Sequence, residues 1–166
     1  FQNIKNLNKN IFYDYEIPEG RGDLSKIKIN KKNIFLIDES YNSNPLSLRS
    51  AINNFNLINI KNNKKHLILG DMLELGKHSK KLHSELSDII NSSSIDNVYV
   101  FGKNIKETYK NIHRKKKGLI LKGITQIIDL IKNNINNNDY IMIKGSNSTG
   151  LHKLTNALKR GERNAL

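Results

Sequence analysis

Five times along this 166-residue chain a short apolar run rich in β-formers gives way to a stretch with helical spacing. The first run, Ile34 to Ile37, is bounded by polar residues, as suits a strand buried on both faces. Asn44-Pro45 then supplies a helix cap and a first-turn proline, and Leu48, Ala51, Ile52 and Phe55 share one face of the helix that follows. The unit recurs. His66 to Leu69, Val98 to Phe101, Leu119 to Leu121 and Tyr140 to Ile143 read as strands. The stripes Leu82-Leu86-Ile89-Ile90, Ile105-Tyr109-Ile112, Ile124-Ile127-Ile128-Ile131-Ile135 and Leu151-Leu154-Ala157-Leu158 read as the helices between and after them. Connections this long are not hairpins. The spacing predicts an α/β fold: a mostly parallel sheet of about five strands with helices on both faces.

Residues 1 to about 30 carry turn and charge signals instead, with Pro18 and Gly20-Arg21-Gly22 in the middle, and read as a linker leading into the domain. The longest apolar runs span four residues, against the roughly 20 that cross a bilayer, so no membrane span is expected. No basic-then-apolar leader is visible. The chain has no Cys, which excludes disulfides and thiolate zinc sites, and a cytoplasmic address is expected. The net charge of +13 would attract phosphate regardless of sequence. However, 23 Lys stand against 5 Arg, beside 26 Asn and 24 Ile, all with A/T-rich codons. Compositional drift at tolerant surface positions accounts for that surplus. With no Trp, 7% aromatic residues and no RNA-recognition signature, nucleic acid is not the expected partner.

In open parallel sheets ligands bind beyond the carboxyl ends of the strands. Polar clusters fall at three such ends: Asp38-Glu39-Ser40-Tyr41-Asn42-Ser43-Asn44-Pro45, Gly70-Asp71-Met72-Leu73-Glu74-Leu75-Gly76 and Lys144-Gly145-Ser146-Asn147-Ser148. Right-handed crossovers bring all three to one edge of the sheet. Adjacent carboxylates at Asp38 and Glu39 face opposite ways on a strand, and one can accept both hydroxyls of a ribose. Helix capping is the competing explanation, and it suffices for Asn44 and Pro45 but not for Tyr41 and Asn42. Lys144-Gly145-Ser146 suits close approach of an anionic ligand, or is simply a solvated strand end. His78 and His83 are five residues apart, the wrong spacing for a zinc pair on one helical face, and read as surface or helix-end residues. Lys115-Lys116-Lys117 behind Arg114 reads as a solvated turn.

Taken in order, with Ser47-Leu48-Arg49 after the first cluster and His78 and His83 after the second, these motifs resemble the C-terminal domain of the Mur ligases, in the branch that adds D-alanyl-D-alanine. Gly20-Arg21-Gly22 is similar to the Gly-Arg element that leads into that domain, and the likeness spans roughly residues 18 to 160. The resemblance implies an ATP-dependent amide ligase of peptidoglycan precursor synthesis. The carboxylate of UDP-N-acetylmuramoyl-tripeptide takes the γ-phosphoryl of ATP, and the amine of D-alanyl-D-alanine attacks the acyl phosphate. It implies a Rossmann-like third domain that closes over ATP and helps hold the acceptor. A UDP-sugar domain and a central P-loop domain with the Mg²⁺ ligands would complete the enzyme. No Gly-x-x-x-x-Gly-Lys-Ser/Thr occurs here. No catalytic residue is therefore expected within this chain, which alone should not ligate. Residues 1–18 would be a linker or the tail of the central domain, and 19–166 the C-terminal domain.

Matched position by position, Arg21 corresponds to an arginine contacting the nucleotide ribose and phosphates. Glu39 stands where many members carry the second Asp of an Asp-Asp pair, also a ribose contact. Tyr41 and Asn42 correspond to residues beside the nucleotide. Lys144, Gly145 and Ser146 correspond to the loop that faces the acceptor dipeptide. Another Mur ligase or a folylpolyglutamate-type ligase is the alternative, and the Tyr-Asn-x-Asn-Pro and Gly-Asp-Met-x-Glu-Leu-Gly runs favour the dipeptide-adding branch over it.

Overall fold

The last strand of the chain, β6 (Tyr140–Lys144), is inserted between β2 (Lys32–Glu39) and β3 (Lys65–Gly70) and runs parallel to both. In this computed structural model, which describes residues 19–161, β4 (Asn97–Phe101) and β5 (Lys117–Leu121) continue the parallel array beyond β3. The expected linker or tail at 1–18 lies outside the described residues. The chain winds outward from β2 through β3 and β4 to β5 and then returns to β6. That return puts helices on both faces. α1 (Pro45–Leu57) and α3 (Leu86–Ser92) bury Leu48, Phe55, Leu86 and Ile90 against Leu67, Leu69 and Met142 on one side. α5 (Ile124–Asn134) and α6 (Leu151–Arg160) bury Ile127, Ile131, Leu151 and Leu158 against Ile141 and Ile143 on the other. Alternate residues of one strand thus enter two separate cores, and each side chain of this size buried is worth about 1.5–3 kcal/mol.

The five expected strands are all present, and the start of α1 follows its sequence signal. Asn44 accepts from the Ser47 amide at 2.8 Å, Ser47 accepts in turn from the Asn44 amide, and Pro45 occupies the first turn.

Three details depart from expectation. Residues 23–29, read as linker, form a sixth strand, β1 (Asp23–Ile29), antiparallel to β2 with Asp23 opposite Asp38. Ile27 and Ile29 are buried there while Lys26 and Lys28 are exposed, so β1 is a half-buried edge strand whose alternation the neighbouring charges obscured. The second helical stripe is divided at Glu85 between α2 (Ser79–Ser84) and α3. Lys116, expected in a solvated turn, is buried, because its ammonium donates to the carbonyls of Ser93 and Ile95. Its neighbour Lys117 donates to the Lys110 carbonyl at the end of α4 (Lys106–Asn111) and lies over the Tyr109 ring.

Among the described residues no helix is long and apolar enough to cross a membrane.

Candidate functional site

Because β6 lies between β2 and β3, the three polar clusters meet above its carboxyl end. Ser146 ties them together. Its amide donates to the Asp71 carbonyl at 3.0 Å, and its hydroxyl accepts from the Leu73 amide at 3.0 Å and points to the Ser43 carbonyl at 3.4 Å. Gly70 and Gly145 are bare where the start of α6 crosses them: a β-carbon on either would sit 2.8 Å from Cδ1 of Leu151. Asp71 is buried and turned away from solvent, accepting from the amides of Lys103 and Ile105 ahead of α4.

His83, expected at the surface or a helix end, does lie in the last turn of α2 but is fully buried. Its Nε2 accepts from the Met72 amide at 3.1 Å while Nδ1 donates to the Ser79 carbonyl at 2.7 Å, which fixes the neutral tautomer and holds the Gly70–Gly76 loop down. His78 is exposed, as expected.

The two carboxylates at the end of β2 do face opposite ways. Asp38 is buried toward α6; its Oδ1 accepts from the amide and hydroxyl of Ser40, and its Oδ2 lies 2.6 Å from the Lys159 ammonium. Burial works to raise the Asp38 pKa, but the Lys159 and Ser40 donors outweigh it and hold the carboxyl below its ordinary value. Lys159 also reaches Asp23 at 2.7 Å, so α6, β1 and β2 are locked together. Glu39 points to the other side, where Oε2 lies 3.2 Å from the Lys144 ammonium. A β-carbon at Gly22 would lie 3.0 Å from Glu39 Oε1, so the bare glycine leaves that oxygen its room.

Lys144 is 2% exposed. It lies beneath the loops, donating to Glu39 and, at 3.0 Å, to the Asn42 carbonyl. Burial pulls its pKa down and Glu39 opposes the shift. Its contacts anchor the Glu39–Asn42 segment. Gly145 and Ser146 are likewise buried, and of the three Ser146 is the one among the residues that line the cleft.

Arg21 sits in a tight turn held on three sides. The Gly20 amide donates to Asp23 at 2.9 Å, the Gly20 carbonyl accepts from the Tyr41 amide at 3.1 Å, and the Gly22 amide donates to the Asp38 carbonyl at 2.7 Å. Gly20 and Gly22, at φ of +75° and +97°, adopt the left-handed backbone this turn needs. The exposed Arg21 guanidinium lies 4.7 Å from the centre of the Tyr41 ring, which meets His152 edge-on at 5.9 Å. Tyr41 also lines a cleft of about 370 Å³, together with Asn42, Leu73, Glu74, Ser146, Asn147 and Ser148. The structure thus gathers Arg21, Glu39, Tyr41 and Asn42 at the end of β2, and Tyr41, Asn42 and Ser146 line the same cleft. Sequence reasoning missed the Asp38–Lys159 pair, for which no local pattern exists. It also left Glu74 without a role, although that residue lay inside a quoted motif.

Residues 25–147 match the family model described as "Mur ligase, glutamate ligase domain". Among curated relatives, the UDP-N-acetylmuramoyl-tripeptide–D-alanyl-D-alanine ligase of Rickettsia prowazekii is 31% identical over 85% of this chain and 30% of its own length. The ligase of the same name from Buchnera aphidicola subsp. Acyrthosiphon pisum is 33% identical over 76% of this chain and 27% of its own length. The chain therefore spans about 30% of the curated relatives it matches. The MurF ligase of Thermotoga maritima, solved in complex with ADP, superposes with a TM-score of 0.72 at 21% identity, over 89% of this chain and 32% of that one. At that identity the likeness speaks for the fold.

Proposed function

The chain belongs to the Mur ligase family, and on that premise we propose that it is the C-terminal domain of an ATP-dependent ligase joining D-alanyl-D-alanine to UDP-N-acetylmuramoyl-tripeptide. The observation that carries this reading is the grouping of Arg21, Tyr41 and Glu39 at the end of β2, next to a cleft that Tyr41 and Ser146 both line. Arg21, braced on Tyr41, presents a fixed cation to the phosphates of ATP. Glu39 keeps Oε2 on Lys144 and offers Oε1 to the ribose hydroxyls, the extra methylene relative to Asp being taken up by the space over Gly22. Asn42 extends this flank, and its own side chain accepts from the Ser43 amide at 2.7 Å.

In this reading Lys144 and Gly145 support the acceptor loop from below, and Ser146 presents its upper surface to the dipeptide. Phosphoryl transfer belongs to the central domain, to which the Mg²⁺ ligands are also assigned. Among the described residues no three His, Asp or Glu side chains converge to hold a metal ion. This chain's part is positioning, and by itself it is not expected to form the amide.

ATP kinetics of the complete ligase test the assignment. Arg21→Ala and Glu39→Ala should each raise KM for ATP about tenfold, the loss of one charge-assisted contact, with KM for the dipeptide near wild type. ATP kinetics unchanged in both variants would remove the nucleotide from this edge.

A further inference from the structure

Glu74 is built into the cleft against its own backbone preference. Its φ is +61°, a conformation that disfavours any residue with a β-carbon. Among the described residues the other non-glycine positions at positive φ are Asn30 and Lys31 in the β1–β2 hairpin and the turn asparagines Asn62 and Asn138. Asparagine tolerates this region and glutamate does not. Such strain persists where function or the surrounding structure demands it, and here the setting is a binding edge.

The surroundings of the carboxylate supply the second observation. Of the residues lining the cleft, Glu74 is the one that carries a charge, and the rest are neutral. Among the described residues no hydrogen bond or ion pair reaches its carboxylate, although the chain as a whole is strongly cationic. Its neighbours in the loop are fixed from below, Met72 by His83 and Leu73 by Ser146. The loop that presents Glu74 is therefore tied to both α2 and the residue after β6, and Glu74 stands exposed at the rim of a cleft that Asn147 and Ser148 also line.

A cleft with one negative charge among neutral hydroxyl and amide groups is matched to a small zwitterion. Its cation meets the carboxylate, and its anion meets hydroxyl and amide groups. We propose that Glu74 is a specificity-determining residue that pairs with the α-ammonium group of the acceptor dipeptide and so orients its amine end in the cleft. This rests on the acceptor reading given above. ATP, which carries no cation, gains nothing from Glu74, so Tyr41 divides the edge into a nucleotide flank with Arg21 and an acceptor flank with Glu74.

The test uses the complete ligase with D-alanyl-D-alanine as varied acceptor and N-acetyl-D-alanyl-D-alanine, which lacks the ammonium, as inhibitor. Glu74→Gln keeps the shape and removes the charge. It should raise KM for the dipeptide at least tenfold, leave KM for ATP and for the UDP-sugar tripeptide within twofold, and leave the inhibition constant of the N-acetyl compound unchanged. Glu74→Asp should recover part of the loss. If the dipeptide KM of Glu74→Gln equals wild type, or if the N-acetyl compound weakens in parallel, Glu74 does not read the ammonium while the ligase assignment stands. If the wild-type enzyme shows no dependence on the dipeptide at all, the acceptor reading falls, and this proposal with it.

Discussion

A lysine at the end of a central strand can extend into solvent or be covered by the loops beyond it, and the local sequence is the same in both cases. Lys144 takes the second course because the segment after β2 folds over it and offers a carboxylate and a carbonyl. Its burial was hidden from sequence reasoning for that reason: it depends on a segment about a hundred residues away. Arg21 and Tyr41 were legible because their motif places them in turns where little else constrains them. The Gly20–Tyr41 backbone bond brings their segments together, and the guanidinium then lies over the Tyr41 ring. Lys144→Met keeps the apolar stem and removes the ammonium, leaving Glu39 and the Asn42 carbonyl without their donor. Unfolding free energy should fall by about 2 kcal/mol, as for the loss of hydrogen bonds to a charged group. KM for ATP should rise, because Glu39 is the group set free. Denaturant melts and steady-state kinetics check both. A stability loss with unaltered ATP kinetics would make Lys144 a support for the fold and nothing more.

At the scale of elements, strands buried on both faces were read correctly because they are continuous apolar runs, and α1 because its cap and apolar stripe agree. β1 was not, since its signal is a two-residue alternation of isoleucine with lysine in a chain where lysine is everywhere. The hairpin that follows supplied a weak clue. Asn30 and Lys31 both have positive φ, at +47° and +67°, as a tight two-residue β-turn of the mirror-image type requires. Asparagine suits the first position; lysine is strained at the second, where glycine is favoured. Lys31→Gly should therefore stabilise the fold by about 1 kcal/mol, the relief of a left-handed residue set against the added freedom of glycine in the unfolded chain. A rise of a few degrees in melting temperature would bear this out, and a fall would mean that the Lys31 side chain does more than occupy the turn.

For the whole molecule, the topology decides where chemistry can happen. Winding outward to β5 and returning to β6 leaves one strand whose two neighbours carry the other polar loops, so the residues proposed to face the nucleotide and the acceptor share an edge without being near in sequence. That edge was predictable from the order of the motifs. Its internal wiring, with Asp38 on Lys159 and Glu39 on Lys144, was not, because long-range ion pairs leave no spacing to read.

In the proposed reading this edge supplies substrate-binding groups, and phosphoryl transfer is assigned to the central domain. Activity is thus expected of the complete ligase. The most direct measurement is phosphate release by that enzyme from ATP and Mg²⁺ in the presence of UDP-N-acetylmuramoyl-tripeptide, with and without D-alanyl-D-alanine. Sustained release that requires the dipeptide, with one phosphate per amide formed, is the predicted result. Release driven by a free amino acid such as glutamate and indifferent to the dipeptide would contradict the account.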